Sequence, residues 1–488
     1  MKVIIITEGS KIIGLGHITR CISIYQAFNS FNVPVLLIVN GDETVQEMVK
    51  DINNSKVFNW MEESNKLFKL IEREDVVIVD SYKADVDFYQ KISQMTKIAV
   101  YVDDNNRINY PKGVTVNGSI NAEKIDYSFS EETNYLLGTQ FIPLRQEFWK
   151  VPEKKIKSNV ENVMVTFGGD DLRNLTPKIL ELLNDNYPSL NKKIIIGSGF
   201  RYIHDIENLK DERTELIYYP DANGMLNTML ESDIAISAGG QTLYELARVG
   251  LPTIAISVAD NQTHNVTNWE EVGFVEFAGH WEDKDLFNNI LSKFNMLSDE
   301  IIRLKKSNVG KTLVDGKGAL RVAKYSLNKY YVNKLKLRPA TCNDIYDVFE
   351  LSNEEEVRMN SFNTSKIGFE EHKKWFKNKI EDQNCVFLLI EIANEFAGQV
   401  RFDLEDDFAT VSISIKKEFR QFGLGKDFLI KSLDHLKLNF PQIRVVKAYI
   451  KEENQKSLKL FESLGFKYKE SVLIKNQKAF EYIYKISG

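Results

Sequence analysis

Short runs of β-branched and aliphatic residues recur along the first half of this chain, each followed within a few residues by Gly, Asp or Ser and then by an amphipathic stretch. The runs are Lys2–Thr7, Val35–Val39, Asp75–Val79, Lys97–Val102, Val163–Phe167, Lys193–Ile196, Ile234–Ser237 and Thr253–Ser257. Runs so short and so uniformly apolar suit strands buried on both faces, as in parallel sheets, with the intervening helical periodicity supplying the crossovers. The pattern predicts doubly wound α/β sheets. It breaks near Leu144–Ser158, where the chain turns polar and lysine-rich, resumes at Glu161, and fades after Val309–Val322. A helical, lysine-rich segment, Ala323–Leu335, then leads to a new start at Lys336. At 488 residues the chain is too long for a single core. The parse is therefore a Rossmann-like domain over 1–150, a second over 151–325, and an independent third domain over 335–488.

Composition narrows the function classes. Hydrophobic content of 43% with 27% charged residues is that of a soluble globular protein. A formal net charge of −6 gives no electrostatic case for nucleic acid or an anionic membrane as partner. No apolar run approaches the roughly 18–20 residues of a membrane span, and the opening segment is unlike a signal peptide. The three cysteines (Cys21, Cys342, Cys385) lie far apart, and neither HExxH nor CxxC occurs, so no metal site is expected. The expectation is a cytoplasmic enzyme; oligomeric state is left open.

Three glycine turns carry the chemistry of the first two domains. Gly14-Leu15-Gly16-His17-Ile18-Thr19-Arg20 lies between the first strand and the first helix. Glycine there allows a tight turn and a close approach of ligand, and the following helix offers free N–H groups to anionic oxygens. A histidine at that place stands at the carboxyl end of a strand, where open α/β sheets bind ligands. Phe167-Gly168-Gly169-Asp170 is a second such turn, and Gly239-Gly240-Gln241-Thr242 a third, running into a helix that carries Glu245. The third turn suits a diphosphate held by backbone amides and hydroxyls, with Glu245 one helical turn in to bond ribose hydroxyls. Asn261 and Gln262 follow the next strand, with amides suited to sugar hydroxyls or N-acyl groups.

In this order and spacing, the turns resemble those of GT-B-fold nucleotide-sugar proteins, and most closely the UDP-sugar hydrolases of pseudaminic acid biosynthesis. The resemblance covers about residues 1–325 and includes Val79-Asp80-Ser81-Tyr82, Val102-Asp103-Asp104 and Leu144-Arg145-Gln146-Glu147-Phe148. It implies that His17 is the base that activates water against the anomeric carbon. It further implies that Gly16, Arg20 and Arg145 belong to the substrate site, and that Asp80, Tyr82, Asp103 and Asp104 line the sugar side. UDP is a good leaving group, so the chemistry needs no metal, and an imidazole titrating near neutrality suits the task. The same architecture serves glycosyltransferases of peptidoglycan synthesis. Transfer to an acceptor therefore stays open as an alternative, as does a non-catalytic nucleotide-sugar-binding module.

In the third domain, the run Val411–Ile415 ends in Arg420-Gln421-Phe422-Gly423-Leu424-Gly425-Lys426, and a helix begins. Further on, Val445–Ile450 precedes Asn454-x-x-Ser457-x-x-x-Phe461-x-x-x-Gly465-Phe466. The pair resembles the diphosphate-binding turn and carboxyl-terminal half of the GNAT acetyltransferases, with acetyl-CoA as co-substrate. It implies an α+β domain in which Ile413 and Ile415 offer backbone N–H groups to the acetyl carbonyl. By the same token Arg420 through Lys426, with Asn454, Ser457 and Phe461, would bind the cofactor. Two positions depart from the family. Thr410 stands in place of a frequent glutamate, and Phe461 in place of the tyrosine that serves as thiolate acid. Ser412, Ser414 and Tyr449 remain as alternatives. The pattern Val357-Arg358…Ser361-Phe362…His372…Trp375-Phe376 is similar to that of GNAT domains acting on UDP-4-amino sugars, and implies Arg358 and His372 as substrate-binding residues.

Overall fold

The computed structural model describes residues 1–10, 14–127 and 131–486. The chain divides into two compact units, Met1–Ser326 and Leu327–Gly488.

The first unit holds two parallel sheets. In chain order the strands of the first are β1 (Val3–Glu8), β2 (Val35–Asn40), β3 (Ser55–Val57), β4 (Val76–Asp80), β5 (Ile98–Val102), β6 (Gly113–Asn117) and β7 (Thr133–Leu137). They lie in the order β3-β2-β1-β4-β5-β6-β7, all parallel. The second sheet contains β8 (Asn162–Thr166), β9 (Asn191–Ile196), β10 (Thr214–Tyr218), β11 (Ile234–Ala238), β12 (Thr253–Ser257) and β13 (Val275–His280), in the order β10-β9-β8-β11-β12-β13. These strands too are parallel. In both sheets the strand order reverses beside the first strand, between β1 and β4 and between β8 and β11. That reversal opens a crevice at the carboxyl ends of the strands. The central strands are buried along their whole length: Val3 to Ile6 and Ile234 to Ile236 are fully inaccessible. This explains why they read as continuous apolar runs rather than as an alternation.

Strands β3, β6, β7, β10 and β13 do not stand out in the sequence. β3 and β10 close edges of their sheets; β3 has no buried position, and β10, Thr214-Glu215-Leu216-Ile217-Tyr218, mixes exposed with buried ones. Strand pairing, rather than an apolar run, makes them strands.

Arg303, fully buried on the helix Glu300–Leu313, closes the second sheet's flank. Its Nη1 donates to Leu297 O (2.6 Å) and Ser298 O (2.8 Å), and its Nη2 to Lys157 O (2.6 Å) and Ser158 O (3.0 Å). One guanidinium thus satisfies carbonyls at the end of one helix and in the segment entering β8. Arg303→Met would leave them buried without donors. It is expected to destabilise the first unit by about 2–4 kcal/mol, read as a lower urea midpoint.

The second unit is a mixed sheet of β14 (Leu335–Pro339), β15 (Cys385–Ile392), β16 (Glu395–Glu405), β17 (Phe408–Ile415), β18 (Val445–Lys451), β19 (Lys467–Ile474) and β20 (Gln477–Lys485), ordered β14-β15-β16-β17-β18-β20-β19. Its neighbours are antiparallel except β17 and β18, which run parallel. The GT-B-like pair of Rossmann-type sheets followed by a GNAT α+β sheet is the architecture expected from the sequence. Among the described residues, no helix is long and apolar enough to cross a membrane.

Candidate functional site

The first site forms where β1 and β4 meet. His17 sits on the second residue of the helix Gly16–Ser30, and Asp80 is the last residue of β4, so the reversal of strand order brings them together. His17 Nδ1 lies 2.6 Å from Asp80 Oδ1. Arg20, one turn along the same helix, donates through Nε to Asp80 Oδ2 and through Nη2 to Asp80 Oδ1 (2.6 Å). Its Nη1 reaches both oxygens of Asp104 at 2.7 and 2.8 Å. Tyr82 donates its hydroxyl to Asp104 Oδ2 (2.6 Å), and its ring stands edge-on to the imidazole, with centroids 4.3 Å apart. Burial alone would raise the Asp80 carboxyl, but the Arg20 guanidinium and His17 hold it well below the usual carboxylate range. The Tyr82 hydroxyl moves the other way, raised by burial and by the Asp104 carboxylate.

Two of the expected sugar-side carboxylates do not face a ligand. Asp80 is fully inaccessible, its oxygens taken by His17 and Arg20. Asp103 is buried as well. It accepts from the amides of Asn106 (2.7 Å) and Arg107 (3.3 Å) and from the hydroxyls of Tyr110 (3.0 Å) and Tyr127 (2.6 Å), which makes it the tie of its own loop. Asp104 and Tyr82 remain partly exposed on that side. Arg20 is a brace within the network, buried and with its donors committed.

Glu8, at the end of β1, was not legible as a site residue. It is buried and accepts from Ser81 Oγ (2.6 Å) and from the amides of Tyr82 (3.0 Å) and Lys83 (3.1 Å). A carboxylate that closes an otherwise apolar parallel strand is the signal that could have marked it.

Across the unit, Gly168 and Gly169 follow β8 and Gly239 follows β11, the adjacent strand. Open space surrounds the positions where side chains of Gly168 and Gly169 would stand. Gly239 has a packing reason: a Cβ there would lie 2.3 Å from Val266 Cγ2, on the helix Asp260–Glu271. The Gly239 amide donates to Ile256 O, whereas the amides of Gly240 and Gln241 make no backbone hydrogen bond among the described residues. They and the start of the helix Thr242–Val249 form the candidate anion cradle. Asp170 is half-buried beside Asp171, and both burial and that neighbour raise its carboxyl. Gln262 accepts from the Val258 amide (3.2 Å), and Asn261 is exposed.

Glu245 departs from the sequence expectation. It is buried, and Arg145 grips it with Nε and Nη2 at 2.9 Å each, so its oxygens are spent on an ion pair rather than presented to a ribose. Gln241 likewise donates to Pro143 O (3.1 Å). Tyr244 accepts from the Ile120 amide (3.1 Å) and donates to Asn265, which donates to Gly239 O (2.8 Å). These bonds tie the cradle to the half of the unit that carries His17.

In the second unit, β17 and β18 pair only from Phe408↔Val445 to Thr410↔Lys447. Beyond Thr410 the strands part, so Val411–Ile415, with Ile413 and Ile415, have a backbone edge that β18 does not cover. The turn after β17 places Gly423 at φ +73° and starts a long helix, Gly425–Asn439, with no side-chain cap. The amides of Gly423, Leu424 and Gly425 make no backbone hydrogen bond among the described residues. An uncapped helix start next to parted strands fits a diphosphate and an acyl carbonyl respectively. Gln421 and Lys426 are exposed at this turn, while Phe422 and Leu424 are buried beneath it.

Other expected binding side chains have different work. Arg420 donates to Ile415 O (2.6 Å), Glu356 (2.9 Å) and Glu354, and so pins the turn instead of facing an anion. Asn454 caps the helix Gln455–Ser463 by accepting from the Ser457 amide (3.2 Å). Phe461 is core, edge-on to Phe466 at 4.9 Å. Arg358 donates through Nε to Ser352 O, through Nη1 to Asn363 O and Ser365 O, and through Nη2 to Ser361 Oγ, so most of its guanidinium braces the local backbone instead of facing a nucleotide. His372 is buried among Phe349, Trp375 and Phe376, with both ring nitrogens unpartnered among the described residues, and burial lowers its basicity.

Comparison with known proteins agrees with this division. Residues 162–293 match the family model for the Glycosyltransferase family 28 C-terminal domain, and residues 334–467 that for the Acetyltransferase (GNAT) domain. An uncharacterized protein of Methanocaldococcus jannaschii is 26% identical over the whole of both chains. The spore coat polysaccharide biosynthesis protein SpsG of Bacillus subtilis is 25% identical, covering 51% of this chain and 75% of its own. The pseudaminic acid cytidylyltransferase and UDP-2,4-diacetamido-2,4,6-trideoxy-β-L-altropyranose hydrolase of Helicobacter pylori is also 25% identical, over 53% of this chain and 45% of that one. The chain thus joins a glycosyltransferase-28-type sugar-nucleotide domain to a GNAT acetyltransferase domain, with acetyl-CoA as its co-substrate.

Proposed function

We propose that this chain is a bifunctional enzyme of pseudaminic-type sugar biosynthesis, acting in the cytoplasm on UDP-linked amino sugars. The acetyltransferase unit acetylates the 4-amino group of a UDP-4-amino-4,6-dideoxy-N-acetyl-altrosamine. The first unit then hydrolyses UDP from UDP-2,4-diacetamido-2,4,6-trideoxy-β-L-altropyranose. The observation that carries the hydrolase reading is His17 at the β1–β4 crevice, its Nδ1 engaged by Asp80 and its Nε2 without a hydrogen bond among the described residues.

In this reading His17 Nε2 takes a proton from water as the water oxygen bonds to the anomeric carbon and the bond to the UDP oxygen breaks. The amides of Gly240 and Gln241 and the helix start at Thr242 hold the charge that gathers on the diphosphate. In the second unit, the acceptor amine attacks the acetyl carbonyl, whose oxygen is held at the uncovered edge of β17; the carbon–sulfur bond breaks, and the departing CoA thiolate gains the proton that the amine gives up. The CoA diphosphate rests on the amides from Gly423 to Gly425. The similarity of about half of the chain to a hydrolase of this sugar and to a spore coat polysaccharide protein supports a nucleotide-sugar substrate.

Incubation with acetyl-CoA and the UDP-4-amino sugar, followed by mass spectrometry, tests both steps. A mass gain of one acetyl group and then loss of UDP is the expected course. A second reading, favoured by the glycosyltransferase-28 match, has an acceptor sugar in place of water. UDP release that requires an added acceptor would establish it. Acetylation with no UDP release under either condition would leave the first unit as a binding module.

A further inference from the structure

We propose that Asp80 is the positioning residue of His17: it keeps the imidazole proton on Nδ1 and thereby leaves Nε2 as the atom that receives the proton of water. The proposal rests on the hydrolase reading for its consequence, but not for its geometry.

The contact itself decides where the proton lies. An ionised carboxylate has only acceptor sites, and an imidazole nitrogen is an acceptor unless it carries hydrogen. Two acceptors do not sit 2.6 Å apart, so Nδ1, at that distance from Asp80 Oδ1, is the protonated nitrogen. Asp80 stays ionised because Arg20, which can only donate, occupies both of its oxygens from within a buried site. The competing arrangement has Arg20 Nη2, 3.0 Å from Nδ1, donating to the ring instead. That same Nη2 has a charged acceptor nearer, Asp80 Oδ1 at 2.6 Å, and the alternative would leave a carboxylate lone pair facing an imidazole lone pair.

The surroundings hold this pair in place from each side. The groups facing His17 and its partner are Asp80, Arg20, Cys21, Tyr82 and, through Arg20 and Tyr82, Asp104. The Tyr82 ring blocks rotation of the imidazole, and Arg20 bridges the carboxylates of Asp80 and Asp104. Glu8 anchors the residues directly after Asp80 through Ser81 Oγ and the Tyr82 and Lys83 amides. Asp80 therefore acts on the reaction through the ring and never touches the sugar.

Nitrogen-15 NMR of the wild-type protein, with His17 assigned by comparison with His17→Gln, reads the tautomer directly. The expected spectrum of the neutral ring has a protonated Nδ1 and a Nε2 with a free lone pair. A Nε2-protonated ring would overturn the proposal whether or not the protein releases UDP. The kinetic arm uses Asp80→Asn, with UDP binding as the check that the site is folded. UDP release is expected to fall about 10²- to 10⁴-fold in kcat, with KM changed less than about threefold. Should Asp80→Asn fail to bind UDP, Asp80→Glu and the wild-type spectrum carry the test. Release within about threefold of wild type would overturn the positioning role and leave the hydrolase reading standing.

Discussion

His17→Ala is expected to lower UDP release by about 10²- to 10⁴-fold, the span that a positioned general base contributes, while acetyl transfer stays within about twofold of wild type. The separation follows from the chain's division into two compact units, with His17 in the first and the acetyltransferase fold wholly in the second. Both activities are measurable on one sample, UDP by anion-exchange chromatography and acetyl transfer by release of the CoA thiol. Alanine removes the ring that Tyr82 packs against and leaves the ion pairs of Arg20 with Asp80 and Asp104 intact, so the loop should keep its shape. Undiminished UDP release in the variant would remove His17 as the base. It would also direct attention to Asp104, the partly exposed carboxylate of the same network.

Gly425→Val should produce the reverse pattern, a loss of acetyl transfer of about 10²-fold or more with UDP release unchanged. A Cβ at this position would lie 3.1 Å from Leu460 Cδ2 and 3.3 Å from Ile415 Cδ1, and a branched side chain adds atoms beyond it. Ile415 ends the strand whose uncovered edge is proposed to hold the acetyl carbonyl, and Gly425 opens the uncapped helix. Crowding between them moves both anion-holding elements at once, and a displacement of about 1 Å is enough for a hundredfold loss in a preorganised site. Gly425→Ala should be intermediate, since Leu460 is a flexible chain end that can yield a few tenths of an ångström. Full acetyl transfer by the valine variant, with an unchanged KM for acetyl-CoA, would mean that this turn does not hold the cofactor.

The residues that could be read from the sequence share a physical trait. Strands β1, β4, β8, β11 and β12 are buried on both faces, so their composition alone betrays them, and the glycine turns that follow are constrained by backbone geometry. The acetyltransferase turn at Gly423 and Gly425 is legible for the same reason. Side chains with several chemical options were harder. Glu245, Arg358, Arg420 and Asn454 are polar residues at places where ligands bind in resembling proteins. In this fold, partners distant in sequence or local backbone groups take up their hydrogen-bonding capacity: Arg145 for Glu245, Glu354 and Glu356 for Arg420. Asp80 and Asp103 differ from Asp104 only in burial and partners, and those depend on packing between strands that a linear reading does not place.

The succession of parallel strands, the glycine turns at their ends and the glycine turn in the last part of the chain can be read from the linear chain. These are local matters of burial and backbone freedom. Which carboxylate meets His17, which arginines are braces, and where β17 and β18 part depend on the folded packing. A hydrogen bond between residues 63 apart in the chain depends on strand order and register, and those are settled by packing the whole sheet.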